Sequence, residues 1–186
     1  MVAHEPALVV TQKITMMVNR YDVHRRGPDG KPAGLLATAQ QKRMAFREQV
    51  TFYSDPDRGT PVFGFRAQQR VDLGATYDVT DTGGQSIGSF RKDFKQSLLR
   101  TTFHLSTPAV ESTGQERNAA IAIIRRLVDV PLPFHFDFTD GAGQPVMSST
   151  KKFGVRDTYL VDVPDQRLDW RVAAAMAVGL DALMAR

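Results

Sequence analysis

The sequence predicts an all-β fold with minor α content, a closed antiparallel barrel wrapped around a buried hydrophobic C-terminal helix. Three observations carry that expectation. Short strand-like runs alternate with turn residues every ten residues or so along most of the chain. One hairpin recurs at a constant offset of 59 residues. The last stretch, Leu168 to Arg186, is rich in alanine, and between Val172 and Leu180 it carries no charge on any side. A helix that is apolar all round has to be enclosed. Its uncharged run is too short for a bilayer, which needs about 20 apolar residues.

The first strand is expected in Leu8 to Met17, where β-branched residues lead into mixed polar and apolar positions. Asn19 to His24 follows as a second, and Gly27 to Pro32 supplies turn chemistry. Leu35 to Thr38 and Ala45 to Tyr53 read as strands, the latter with Phe46, Glu48, Val50 and Phe52 on one side. Asp55 to Gly59 turns the chain into Val62 to Arg66. Further strands are expected in Ala75 to Thr80, Ser86 to Lys92 and Leu99 to Leu105.

From Thr113 to Val128 the rhythm changes. Thr113 with Glu116 fits a capping box, and Ala120, Ile123, Ile124, Leu127 and Val128 fall at helical spacing beside Arg117, Arg125 and Arg126. An outer amphipathic helix is expected here, ended by Pro131 and Pro133. Phe134 to Thr139 then alternates, with Phe134, Phe136 and Phe138 inward.

The repeat pairs Tyr77 to Phe94 with Phe136 to Phe153, with identities that include Asp81/Asp140, Gly84/Gly143, Gln85/Gln144 and Lys92/Lys151. Each copy is a strand, a glycine-bearing turn and a return strand. Tyr21 to Val23 ahead of Gly30 and Lys31 forms a looser third copy. Repeated antiparallel hairpins close readily into a barrel, which removes the exposed edges.

Gln12-Lys13 in the first strand, the Tyr77-Asp78-Val79 to Gly88 hairpin, the Lys152-Phe153-Gly154 return and the final Leu168-Asp169 with its Ala-rich helix resemble the LURP-one-related family. That family sits in the tubby C-terminal-like superfamily with the phospholipid scramblases. The likeness covers nearly the whole chain, residues 1–186, as a single domain. It implies about twelve strands around a central helix at 168–186.

No enzymatic activity is expected. The four histidines are scattered, with none at metal-ligand spacing, and His104 and His135 read as polar positions of alternating strands. Cysteine is absent, and no nucleophile elbow, P-loop or dinucleotide fingerprint occurs. A helix inside the barrel also takes the volume where a small ligand would sit. No cofactor or metal is expected. The acidic series Asp157, Asp162, Asp165 and Asp169 suits the oxygen preference of calcium, but Lys151 and Lys152 lie nearby and oppose a cation. Asp169 reads instead as an N-terminal cap or dipole partner of the helix, and Asp181 either marks where the helix leaves the barrel or pairs with an interior arginine such as Arg66 or Arg70, since a buried carboxylate needs a partner or solvent.

The chain is mildly basic, with net charge +4, which permits attraction to phosphates or anionic lipid. The family resemblance implies headgroup binding by Lys and Arg on the barrel exterior, with Arg91, Lys92, Lys95, Lys151 and Lys152 as candidates. A protein partner is the alternative, and phospholipid scrambling a weaker one. Nucleic acid is not expected, because aromatic residues do not interleave with the basic ones. The oligomeric state stays open. With no signal-like N-terminus, a cytoplasmic location is expected, peripheral at the inner face of the membrane if lipid is bound.

Overall fold

The computed structural model describes residues 3–14, 18–42, 49–68, 75–93, 101–118, 134–152, 154 and 156–184. Twelve strands close into one barrel, in the order β1-β12-β11-β10-β9-β8-β7-β6-β5-β4-β3-β2. They are β1 (Ala7–Ile14), β2 (Val18–Arg26), β3 (Pro32–Lys42), β4 (Gln49–Tyr53), β5 (Pro61–Ala67), β6 (Thr76–Asp81), β7 (Ser86–Asp93), β8 (Thr102–Ser106), β9 (Glu111–Glu116), β10 (His135–Thr139), β11 (Pro145–Lys152) and β12 (Thr158–Asp162). Each strand pairs antiparallel with the next in sequence, and β1 with β12 completes the ring. Closure leaves no strand edge in need of a cover.

Inward and outward positions follow the sequence alternation. Phe52, Phe63, Phe65, Tyr77 and Phe90 point inward from neighbouring strands and are buried. Phe52 stacks on Phe63 at 4.1 Å between centroids, and Tyr77 on Phe90 at 5.1 Å. This aromatic wall fills one side of the lumen. Helix α1 (Trp170–Met184) runs through the rest, with every residue from Val172 to Asp181 buried. Its 15 residues span about 22 Å. Asp169 caps it: Oδ1 accepts the backbone N–H of Arg171 at 2.9 Å, and the carboxylate also holds the Arg171 guanidinium. No helix among the described residues is long and apolar enough to cross a membrane.

The small residues of α1 answer to those rings. A Cβ at Gly179 would lie 2.6 Å from the Phe90 ring. The mid-helix glycine, normally unfavourable by roughly 0.5–1 kcal/mol against alanine, is therefore set by the close approach of an aromatic wall. The same crowding makes Ala174→Leu or Ala177→Leu overpack the lumen, with an expected loss of about 1–3 kcal/mol in urea unfolding. Melting curves that match the parent would contradict the packing described here.

The repeated hairpins share their turn hydrogen bonds, glycine conformations and register shift. In β6–β7 the Asp81 carboxylate accepts the N–H groups of Gly83 and Gln85, and in β10–β11 Asp140 accepts those of Ala142 and Gln144. Gly84 and Gly143 take φ of 77° and 76°, as does Gly30 in the β2–β3 turn at 76°. Each pair shifts register by one residue at the same point, after Val79 and after Phe138. The repeat is thus a hairpin whose turn chemistry and bulge are copied together.

The expected outer helix needs correction at its start. Thr113 to Glu116 are not a capping box but the end of β9, paired with β8 and β10. Ser112, Gly114 and Glu116 face inward, and Gly114 makes room for the Phe138 ring, which a Cβ would meet at 2.3 Å. A Thr-x-x-Glu spacing suits a polar strand face as well as a helix start, and barrel closure decides between them. The remainder of the expected helix, from Ala119 onward, lies outside the described residues.

Candidate functional site

Two polar regions stand out, one enclosed at the C-terminal end of α1 and one on the outer wall. The enclosed one centres on Asp181, 5% exposed. Tyr21 Oη donates to its Oδ2 at 2.7 Å, and Tyr159 Oη donates to Oδ1. Lys151 Nζ lies 3.4 Å from the same Oδ1 and 2.7 Å from Asp157 Oδ2. The ammonium also sits 5.4 Å from the ring centroids of both Phe134 and Tyr159. Gln12 extends the network by donating to Tyr21 Oη at 3.5 Å.

Position in the fold explains the membership. Lys92 and Lys151 occupy equivalent places in the two hairpin copies, each on the inward phase of a return strand. Lys92 Nζ donates to the Leu183 carbonyl at 3.5 Å, so both lysines meet the last turns of α1. That end of a helix carries unsatisfied carbonyls and partial negative charge, which cations stabilise. Burial pushes the Tyr21 and Tyr159 hydroxyls far above the ordinary phenol range, and the neighbouring Asp181 carboxylate adds to the effect.

Two expectations change as a result. Among the described residues Asp181 pairs with the tyrosines and Lys151, and not with Arg66. Arg66 points outward from β5, and Arg70 lies outside the described residues. Of the five headgroup candidates, Lys92 and Lys151 turn inward, Lys151 with only 11% of its side chain exposed. Arg91 and Lys152, one position away on the same strands, are exposed, and Lys95 lies outside the described residues. Alternation separates neighbours in sequence onto opposite faces of the wall.

Tyr21 and Tyr159 were missed from the sequence as members of this network, and Asp157 was read as part of an acidic series rather than as the partner of Lys151. The available signal was parity: Lys151 shares the phase of Met147 and Ser149, both buried. The acidic series dissolves into separate pairs, Asp157 with Lys151, Asp162 with Arg26, Asp165 with Arg167 and Asp169 with Arg171. Among the described residues no cluster of His, Asp and Glu has the arrangement a metal ion needs.

The outer region is a groove of about 370 Å³ across β7, β8, β9 and the β10–β11 turn. Arg91, His104, Thr113 and Thr139 form one cross-strand row beneath it. His104 Nε2 lies 3.1 Å from Asp93 Oδ2 and its Nδ1 3.3 Å from Thr113 Oγ1. Glu111 and Asp140 close the other side, so the groove mixes one cation with two acids.

The arrangement is a mixed-charge groove on the outside and a hydrogen-bonded polar lock within. The LURP-one-related family model matches residues 35–181, from β3 to the Asp181 lock. The chain belongs to the LURP-one-related family. The twelve-strand barrel with its enclosed helix agrees with the tubby-like fold of that family. Neither the curated proteins nor the solved structures gave a match to this LURP-one-related chain.

Proposed function

We propose that this LURP-one-related barrel is a non-enzymatic module that holds anionic phospholipid headgroups, phosphoinositides among them, at its outer surface. The observation that carries the reading is the pair Arg91 and Lys152, exposed and without an ion-pair partner among the described residues, on a barrel whose lumen is filled by α1. Guanidinium and ammonium groups with no carboxylate partner keep their full charge available for phosphate oxygens. Flotation with vesicles containing phosphatidylserine and a phosphoinositide should carry the chain upward, and vesicles of phosphatidylcholine alone should not. Binding that ignores lipid charge, or none at moderate salt, would remove the proposal.

The groove favours a second reading. Its mixture of Arg91, His104, Glu111 and hydroxyl groups suits the alternating donors and acceptors of a polypeptide segment better than a lone phosphate. A reproducible protein partner lost on Glu111→Lys, with no lipid binding by the parent, would select that reading.

A further inference from the structure

The outer groove holds two opposite charges that do not meet. Its walls include Arg91 from β7 and Glu111 from β9, both exposed, with His104 of β8 between them. Among the described residues neither forms an ion pair, and the Glu111 carboxylate accepts the Ser106 hydroxyl alone, at 3.5 Å. Strand register sets the gap: Arg91 pairs with His104 and His104 with Thr113, and Glu111 lies one outward step along β9 from Thr113. At about 4.8 Å per strand and about 3.4 Å per residue, the two Cα atoms stand about 12 Å apart. The other charges in the groove are committed. His104 Nε2 faces Asp93 Oδ2 and its Nδ1 faces Thr113 Oγ1. Asp140 accepts the N–H groups of Ala142 and Gln144 and the guanidinium of Arg167, bonds that pin the β10–β11 turn as a wall of the groove.

We propose that the groove recognises a dipolar headgroup, a phosphate carrying an ammonium group a few bonds away, with Arg91 on the phosphate and Glu111 on the ammonium. This rests on the headgroup reading above and names the class of lipid, an aminophospholipid. Guanidinium N–H groups fork onto phosphate oxygens, and a carboxylate accepts ammonium N–H groups, so one ligand satisfies both residues. A phosphate without the ammonium would instead bring a second negative charge beside Glu111. A polypeptide is served less well. Every strand is paired on both sides, so its main chain finds no sheet edge to extend. The volume of about 370 Å³ also lies at the small end of the range for small-ligand sites, about 300–1,000 Å³.

The test compares vesicles of equal surface charge, phosphatidylserine or phosphatidylglycerol at one mole fraction in phosphatidylcholine. Only the serine lipid adds an ammonium with N–H donors. The full chain should bind the serine vesicles about tenfold more tightly, the size of one charge-assisted hydrogen bond. Glu111→Gln should abolish that preference, and Arg91→Gln should weaken binding to both vesicles about fivefold. Both side chains are exposed, so thermal melts of the variants should match the parent. Equal binding of the two vesicles by the parent, or a preference that survives Glu111→Gln, overturns the dipolar assignment and leaves the headgroup reading intact. Soluble phosphoethanolamine that binds with the same Glu111 dependence, while no vesicle is bound, keeps the chemistry of the groove for a free ligand and removes the lipid reading. Failure to bind any anionic vesicle or phosphoethanolamine removes both, and a polypeptide partner lost on Glu111→Gln then takes the groove.

Discussion

Replacing Asp181 with Ala is expected to destabilise the protein by about 3 kcal/mol, because breaking a buried charge pair from one side strands its partners. Tyr21 and Tyr159 would lose the acceptor of their buried hydroxyl groups, and Lys151 would keep Asp157 alone. For a chain of this length the loss corresponds to a fall in Tm of about 10 °C. A companion variant separates charge from packing. Asp181→Leu combined with Tyr21→Phe and Tyr159→Phe removes the acceptor and both donors together, and Lys151 retains Asp157. That variant should be more stable than Asp181→Ala, since replacing a whole buried network by apolar groups is often neutral. Calorimetry that ranks the two in the opposite order would show that the hydroxyl groups do not depend on Asp181.

Stability should also fall steeply above pH 10, through the same tyrosines. Their folded-state pKa values are raised by burial first and by Asp181 second, whereas in the unfolded chain each ionises near the ordinary value of 10.0. Below that value both states hold the protons, and the contribution to stability is fully present. Above it the unfolded state releases two protons that the folded state keeps, so unfolding becomes more favourable by about 2.7 kcal/mol per pH unit for the pair. Urea midpoints at pH 9, 10 and 11 would measure the slope. In Tyr21→Phe with Tyr159→Phe the excess slope should vanish, because all other titrating groups are shared with the parent. An unchanged slope would place the alkaline transition elsewhere.

Much of the barrel was legible from local chemistry. Strand parity identified the inward aromatic residues, and Asp, Gly and Gln at matched offsets marked the hairpins. The candidate sites were less legible because they depend on which residues meet across the ring. Arg91 and Lys92 are neighbours in sequence, yet one faces water and the other reaches the carbonyl end of α1.

An uncharged helix must be enclosed and alternating strands must put one face inward, so local chemistry alone required an axle and the hairpins that wrap it. Tertiary structure decided that Thr113 to Glu116 are strand, because a ring that closes needs β9 between β8 and β10. It also decided the partners of Asp181. Those contacts link residues as far apart as Tyr21 and Asp181, and neither local propensity nor spacing encodes the depth at which a helix comes to rest inside a barrel.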